Sequence, residues 1–413
     1  MTTPITPKQT PAELAVHGGA PTRLTKKPAN PVFSQEAKDE VVQLLDRGAL
    51  SAFYGGAEVR RFETEYARYF GRDYATAANS GTSALHLAFA AVRLPEHSEV
   101  LVPANAYVSA VSALIQAELI PVIVDLDPLT WSMSTEDCER KLTERTRMIV
   151  PVHMYGQTCP MNDLSAFARE HDLVLIEDCG QSHGAMADGR LTGTFGFAAA
   201  FSLCCRKHLA IGEGGIVITD DKTYADTMRS LAHKGKGEEW FDYREMGYSY
   251  NLTEIQGVLG RHQLRKLGAE LESRATLAAG LRDQLADTGL VFPVVRPGST
   301  HAYFKQNALV PQRLAPYRNE IVKAIRAENV GCDPTHPCLM DIDWLQNQQP
   351  SFFRTIPAAA RPDYRPETVP NANAMLARQI CIEVGPGLDA EDMSYTAAAI
   401  RKVMTYYNAR YVG

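Results

Sequence analysis

Phe201-Ser202-Leu203-Cys204-Cys205-Arg206-Lys207-His208-Leu209-Ala210-Ile211-Gly212-Glu213-Gly214-Gly215 sets a lysine five residues after a serine and five before a glycine-rich turn. The run leading into it, Phe195 to Leu203, is apolar apart from Ser202 and reads as a buried strand. A lysine delivered just past such a strand is partly desolvated. A desolvated amine is a nucleophile suited to a Schiff base with a carbonyl cofactor. The competing reading is a loop lysine on the surface, the commoner fate of a lone lysine.

Three other segments favour the cofactor reading. Val174-Leu175-Ile176-Glu177-Asp178-Cys179-Gly180-Gln181-Ser182-His183 is an apolar run ending in an acidic pair. It predicts a buried parallel strand with a carboxylate at its carboxyl edge, where ligands bind in open α/β sheets. A carboxylate there can keep a pyridinium nitrogen protonated, which makes pyridoxal 5′-phosphate an electron sink. Asp178 suits that role, with Glu177 on the opposite side of the strand; a helix cap is the alternative. Asn79-Ser80-Gly81-Thr82-Ser83-Ala84-Leu85-His86-Leu87 leads small and hydroxyl residues into a helical pattern. That order suits either a phosphate at a helix N-terminus or an ordinary capped helix start. Val102-Pro103-Ala104-Asn105-Ala106-Tyr107 places an aromatic just past a strand, for stacking on a ring or for packing.

Together these segments resemble the DegT/DnrJ/StrS family of pyridoxal-phosphate-dependent aminotransferases, from about Leu14 to near the C-terminus. Leu14-Ala15-Val16-His17-Gly18-Gly19-Ala20-Pro21-Thr22-Arg23 is similar to the N-terminal signature of members acting on aminocyclitols and related rings. Pro151-Val152-His153-Met154-Tyr155-Gly156-Gln157 and Gly247-Tyr248-Ser249-Tyr250-Asn251-Leu252-Thr253-Glu254 match further blocks. The resemblance implies an aspartate-aminotransferase-like (fold type I) architecture. It makes Lys207 the Schiff-base lysine, Asp178 the partner of the pyridine nitrogen, and Gln181 a contact on the phenolic-oxygen side. Tyr107 would stack on the ring, Gly81, Thr82 and Ser202 would hold the phosphate, and Asn251 would complete the phosphate site of a partner subunit. Two departures stand out: Leu203-Cys204 replaces a common aromatic-His or aromatic-Gln pair, and Ser249 and Asn251 replace common Asn and Arg.

The rest of the chain is consistent with an α/β fold. Strand-like runs at Glu99–Val102, Ile120–Val124, Met148–Val152, Leu173–Ile176, Ala198–Leu203 and Gly215–Thr219 alternate with helical stretches at Ala84–Val92, Met161–Glu170 and Thr223–His233. The pattern predicts a large, doubly covered, mostly parallel sheet. Leu252 to Leu285 reads as one long or two consecutive helices. His301–Val310, Glu320–Asn329 and Asp389–Tyr407 suggest a smaller α+β domain, and Pro-rich Pro350 to Ala372 a loop near the site's mouth. The division expected is an N-terminal arm over 1–30, with its first dozen residues disordered, a large cofactor-binding domain over 31–270 and a small domain over 271–413.

With 413 residues, 45% hydrophobic and 22% charged, the chain can bury such a core. A net charge of −6 argues against nucleic-acid or anionic-membrane partners. Eight scattered cysteines, no secretory signal and no membrane-length apolar run suggest a cytoplasmic protein with free thiols. Cys332, His336 and Cys338 fit no common zinc spacing, so no metal is expected.

The expected activity is transfer of an amino group from L-glutamate or L-glutamine to a keto-sugar or keto-cyclitol, by a homodimer with shared sites. The alternatives are a sugar dehydratase of the same family, in which a histidine takes the lysine's place, and a cofactor-binding protein without turnover. His208, beside Lys207, makes the register of this block decisive.

Overall fold

Six buried apolar runs and one alanine-rich segment build the central sheet. The computed structural model describes residues 13–25, 27, 31–51, 56–237, 239 and 241–411. In chain order the first elements are α1 (Gln35–Arg47), α2 (Glu58–Phe70), β1 (Tyr74–Ala78), α3 (Gly81–Ala90), β2 (Glu99–Pro103), α4 (Val108–Gln116), β3 (Ile120–Val124) and α5 (Thr135–Lys141). There follow β4 (Thr146–Ile149), α6 (Met161–Glu170), β5 (Val174–Asp178), a hairpin of β6 (Met186–Ala187) and β7 (Arg190–Leu191), β8 (Ala198–Ser202), β9 (Gly215–Thr219) and α7 (Lys222–Ala232). Seven strands form one sheet in the order β1-β9-β8-β5-β4-β2-β3. From β8 across to β3 all pairs are parallel, and only β9 runs against its neighbours.

The sheet is apolar on both faces because helices cover both. Along β8 the faces alternate with the strand period. Ala198 and Ala200 pack with Leu87 of α3 and Val111 of α4. Ala199 and Phe201 pack with Phe62 and Tyr66 of α2.

α8 (Glu254–Gln284) is a single helix of 31 residues, started by a capping box between Thr253 and Gln256. Its first half packs Leu264 and Leu267 under the large sheet. Its second half packs Leu277 and Leu281 with a separate core. The boundary expected at 270 therefore falls inside a continuous helix. Beyond it come β10 (Gln306–Leu309), α9 (Arg318–Ala327), β11 (Cys332–Pro334), α10 (Asp343–Gln346), α11 (Phe352–Thr355), α12 (Pro370–Leu376), β12 (Gln379–Ile382) and α13 (Ala390–Arg410). The last three strands form an antiparallel sheet, β10-β12-β11. Leu14 is fully buried in its core, and the Glu328 carboxylate accepts from Ala15 N and from Thr22 N and Oγ1. This part of the N-terminal arm is thus anchored; residues 1–12, where disorder was expected, lie outside the described residues.

Two expectations need correction. The strand Tyr74–Ala78 was not anticipated. Its alanines carry little strand preference, and pairing with β9 along five residues supplies what the sequence lacks. Pro350 to Ala372 is not a loop at the site's mouth. Phe353, Ile356, Tyr364, Val369 and Ala372 are buried in the large-sheet core. The Tyr364 hydroxyl donates to Pro121 O at the outer strand β3, and Asp125 accepts from Asn371 N and Ala372 N.

Candidate active site

Parallel strands bring their carboxyl ends to one edge, and the residues singled out in the sequence lie on or just past those ends. Asp178 closes β5 and Ser202 closes β8; Gly81 and Thr82 follow β1, and Tyr107 follows β2. Gly81, Thr82, Tyr107, Asp178, Gln181, Ser202 and Lys207 all line one cavity of about 560 Å³. That size is in the usual range for a small-molecule site. Asn251 does not line it. A more open cleft of about 610 Å³ lies at the opposite, amino ends of β5 and β8 and holds none of these residues.

α3 starts with Ser80, whose Oγ accepts from Ser83 N at 3.0 Å. The N–H groups of Gly81 and Thr82 come before the first helical hydrogen bond and are left for another acceptor. Gly81 is needed for the approach to Ser202: a Cβ there would stand 2.7 Å from Ser202 Cβ and 2.8 Å from its Oγ. The helix start and the Ser202 hydroxyl thus sit together as one cradle of donors.

Lys207 is set by the turn after β8, where its N–H donates to Cys204 O at 2.9 Å. Its Nζ lies 4.5 Å over the Phe304 ring. Burial pushes this amine down to about 8, with the negative charge of Asp178 opposing the shift. His208 points elsewhere: it is buried, and its Nε2 is 2.9 Å from Ala302 O. The register is therefore unambiguous, with the lysine in the cavity and the histidine packed beneath it.

The acidic pair splits as expected. Asp178 lines the cavity, and its Oδ1 accepts from Gly180 N at 2.9 Å. Burial raises its carboxyl above the usual range, against the pull of that N–H and of Lys207. Glu177 faces the other way and is fully buried. Its Oε1 accepts from Phe195 N and Gly196 N, at 2.8 and 3.0 Å. Its Oε2 accepts from Gly193 N at 2.8 Å and lies 3.2 Å from His153 Nε2. His153 Nδ1 accepts from Cys159 N, which assigns the ring proton to Nε2 and makes it a donor to Glu177. Burial alone would raise the Glu177 carboxyl; His153 and the backbone N–H groups outweigh it and hold it low. His153, Glu177 and Cys179 are close enough together to suggest a metal site, but these contacts already occupy the histidine and the carboxylate.

Several residues of the site were not assigned a role from the sequence. The Gln181 Oε1 accepts from Tyr155 N at 2.8 Å. Tyr155 has a left-handed backbone (φ 58°), followed by Gly156 at φ 95°. Its hydroxyl is 3.0 Å from Thr335 Oγ1 and accepts from His336 N at 3.2 Å. This clamp ties the segment after β11 to the edge of the large sheet and brings His336 into the cavity. Cys332 and Cys338 are buried in two different cores, so they form no cluster with His336. Lys305, Phe304, Asp333, Arg206, Cys204, Cys205 and Glu213 also line it. Arg60, Arg61 and Arg244, the arginines near the matched blocks, do not contribute; Arg61 pairs with Glu58 and Arg244 with Asp242.

Comparison with known proteins agrees with this geometry. The family model of the DegT/DnrJ/EryC1/StrS aminotransferase family matches residues 31–401. The chain belongs to that family. It is 33% identical over 416 aligned positions to L-glutamine:2-deoxy-scyllo-inosose aminotransferase of Streptomyces lividus, covering 95% of this chain and 98% of the relative. It is 38% identical over 293 positions to dTDP-3-amino-3,4,6-trideoxy-alpha-D-glucose transaminase of Micromonospora megalomicea subsp. nigra, covering 70% and 76%. Among solved structures, an aminotransferase from Psychrobacter cryohalolentis superposes with a TM-score of 0.82 at 29% identity, over 92% of this chain and 99% of the other.

The residues of this aminotransferase fit pyridoxal phosphate. The cavity offers an amine of lowered basicity, a buried carboxylate and an anion cradle that a single Cβ at Gly81 would close. Outside the cavity, the Asn251 side-chain oxygen is buried with no partner among the described residues. Among the described residues, no helix is long and apolar enough to cross a membrane.

Proposed function

We propose that this aminotransferase works with pyridoxal 5′-phosphate, takes an amino group from L-glutamate or L-glutamine and delivers it to a keto-sugar or keto-cyclitol. The observation that carries the reading is the meeting of Lys207, with its depressed basicity, and the buried Asp178 in one cavity with a free helix N-terminus. When bound, the cofactor supplies an aldehyde carbon and a ring that accepts electrons. Lys207 is the nucleophile that holds that carbon. When not bonded to the cofactor, the Lys207 amine would serve as the base and acid that takes up and returns a substrate proton. Asp178 balances the positive ring nitrogen. The N–H groups of Gly81 and Thr82 and the Ser202 hydroxyl hold the phosphate, Tyr107 covers the ring, and Gln181 faces its phenolic oxygen.

Asn251 belongs to the same proposal as a residue lent to the neighbouring subunit's phosphate site. Its side-chain NH2 is the donor such a site would use. The working unit is then a cytoplasmic homodimer, each chain divided within α8 into a large domain, whose core takes back the segment around 353–376, and a small one. The near full-length match to the Streptomyces lividus enzyme favours glutamine and an untethered ring. The dehydratase reading loses ground because His208 is packed against Ala302 O.

Borohydride reduction of the loaded protein, followed by peptide mapping, should find the cofactor on Lys207. Glutamine or glutamate should bleach the visible band of the wild type and leave Lys207→Ala unchanged. An adduct on another lysine, or wild-type turnover by Lys207→Ala, would overturn the assignment.

A further inference from the structure

His336 enters the cavity from the small sheet, two residues past the end of β11. Its ring lies parallel to that of Tyr155, 3° between planes at 5.7 Å, and meets Tyr107 edge-on at 4.9 Å. The Tyr155 hydroxyl holds its backbone N–H at 3.2 Å. The side chain is thus fixed on two sides and from behind. Neither ring nitrogen forms a hydrogen bond among the described residues, although the ring is half-buried. Unlike those of His183, its ring nitrogens are not sealed from solvent, and with His336 lining the cavity they can bond something held there.

The surroundings say what that something is. Burial, then the nearby Lys207 charge, lower the basicity of His336, with Asp333 opposing and Lys305 adding to the shift. A neutral imidazole offers one donor and one acceptor, which matches a hydroxyl and is a poor partner for an anion. Anion-binding duty has better candidates in the same cavity. Arg206 lines it without an ion pair among the described residues. Lys305 is already paired with Asp333 at 3.3 Å.

We propose that His336 is a specificity-determining residue that reads a hydroxyl of the ring ketone, so that the cavity takes a hydroxylated ring rather than an anionic group at this point. The inference rests on the aminotransferase reading. The residues assigned to the cofactor are others, so the loss of His336 is expected in the second half-reaction, where the ring ketone binds.

The test is His336→Phe, which keeps an aromatic between Tyr107 and Tyr155 and removes both ring nitrogens, alongside His336→Asn, which restores a donor and an acceptor. The probes are L-glutamine as donor, and 2-deoxy-scyllo-inosose and a nucleotide-linked keto-sugar as ketones. His336→Phe should raise the KM for the accepted ketone roughly 10- to 100-fold, the worth of a buried hydrogen bond left unmade. It should bleach with glutamine at the wild-type rate within about twofold, and His336→Asn should recover part of the ketone affinity. Calorimetric binding of the ketone to the cofactor-free proteins should follow the same order. Equal loss in both half-reactions, or an unchanged ketone KM in His336→Phe, overturns the inference. A wild type that bleaches with glutamine but binds neither ketone overturns it too. A wild type that bleaches with no amino donor sinks the aminotransferase reading instead.

Discussion

Glu177 and Asp178 are adjacent, both are buried, and substitution should separate them. Four donors converge on Glu177: Phe195 N and Gly196 N on one oxygen, and Gly193 N and His153 Nε2 on the other. In Glu177→Gln the amide can be flipped either way, and in both orientations its NH2 faces two donors. Two buried donors then lack acceptors, at about 1–3 kcal/mol each, or roughly 2–6 kcal/mol in all. That is a large share of an ordinary domain's stability, about 5–15 kcal/mol. Among the described residues Asp178 has a single protein donor, Gly180 N, and the side-chain carbonyl oxygen of an asparagine can still accept from it. Asp178→Asn should therefore cost under about 1 kcal/mol of stability while losing most of the half-reaction rate, because an amide cannot balance a pyridinium charge. Urea unfolding of the cofactor-free proteins and single-turnover bleaching with glutamine read the two quantities separately.

The pH dependence follows from the direction of the Glu177 shift. Its carboxyl is held low in the fold, so its contribution is fully present above the unfolded value of about 4.3 and is lost as pH falls through the folded one. The gap between wild type and Glu177→Gln should be flat near neutrality and close only in acid. Unfolding of Glu177→Gln at the wild-type urea concentration would refute the four-donor account. So would an Asp178→Asn variant that keeps its rate while Glu177→Gln loses it.

Three further outcomes are expected. Burial holds the Lys207 amine at about 8, so capture of pyridoxal phosphate by the cofactor-free protein should speed up with rising pH and level off just above that value; a rate still climbing toward about pH 10 would mean an ordinary, solvated lysine. Gly81→Ala should weaken pyridoxal phosphate by about 1–3 kcal/mol by forcing the start of α3 off Ser202, and leave pyridoxal lacking the phosphate nearly unaffected; equal losses for both ligands would refute the phosphate cradle. Lys207→Ala and Asn251→Ala chains, each impaired alone, should regain activity when mixed under exchange conditions, since one of the two sites in a mixed dimer then carries neither lesion; no recovery, or an active monomer in sedimentation, would remove the shared site.

The sequence alone determined the elements whose environment is uniform along their length. Strands such as β2, β5 and β9 are buried on both faces, so each is built on a short apolar run, and such runs can be read without neighbours. Lys207, Asp178, Ser202 and Gly81 were legible as candidates, because each sits at a fixed offset from a strand end or helix start. The 3.6-residue period located α6 at both ends. Tertiary structure decided whatever depends on a partner far along the chain. β1 is a strand because β9 pairs with it, and Pro350 to Ala372 lies on the β3 edge because its buried side chains find the large-sheet core there. The choice between Lys207 and His208 rests on where Ala302 O lies, 94 positions away. His336 joins the site only because the Tyr155 hydroxyl, 181 positions earlier, grips its backbone. Hydrogen bonds of that separation leave no periodicity in the chain, since each end carries only an ordinary polar residue until the fold brings the two within 3.2 Å.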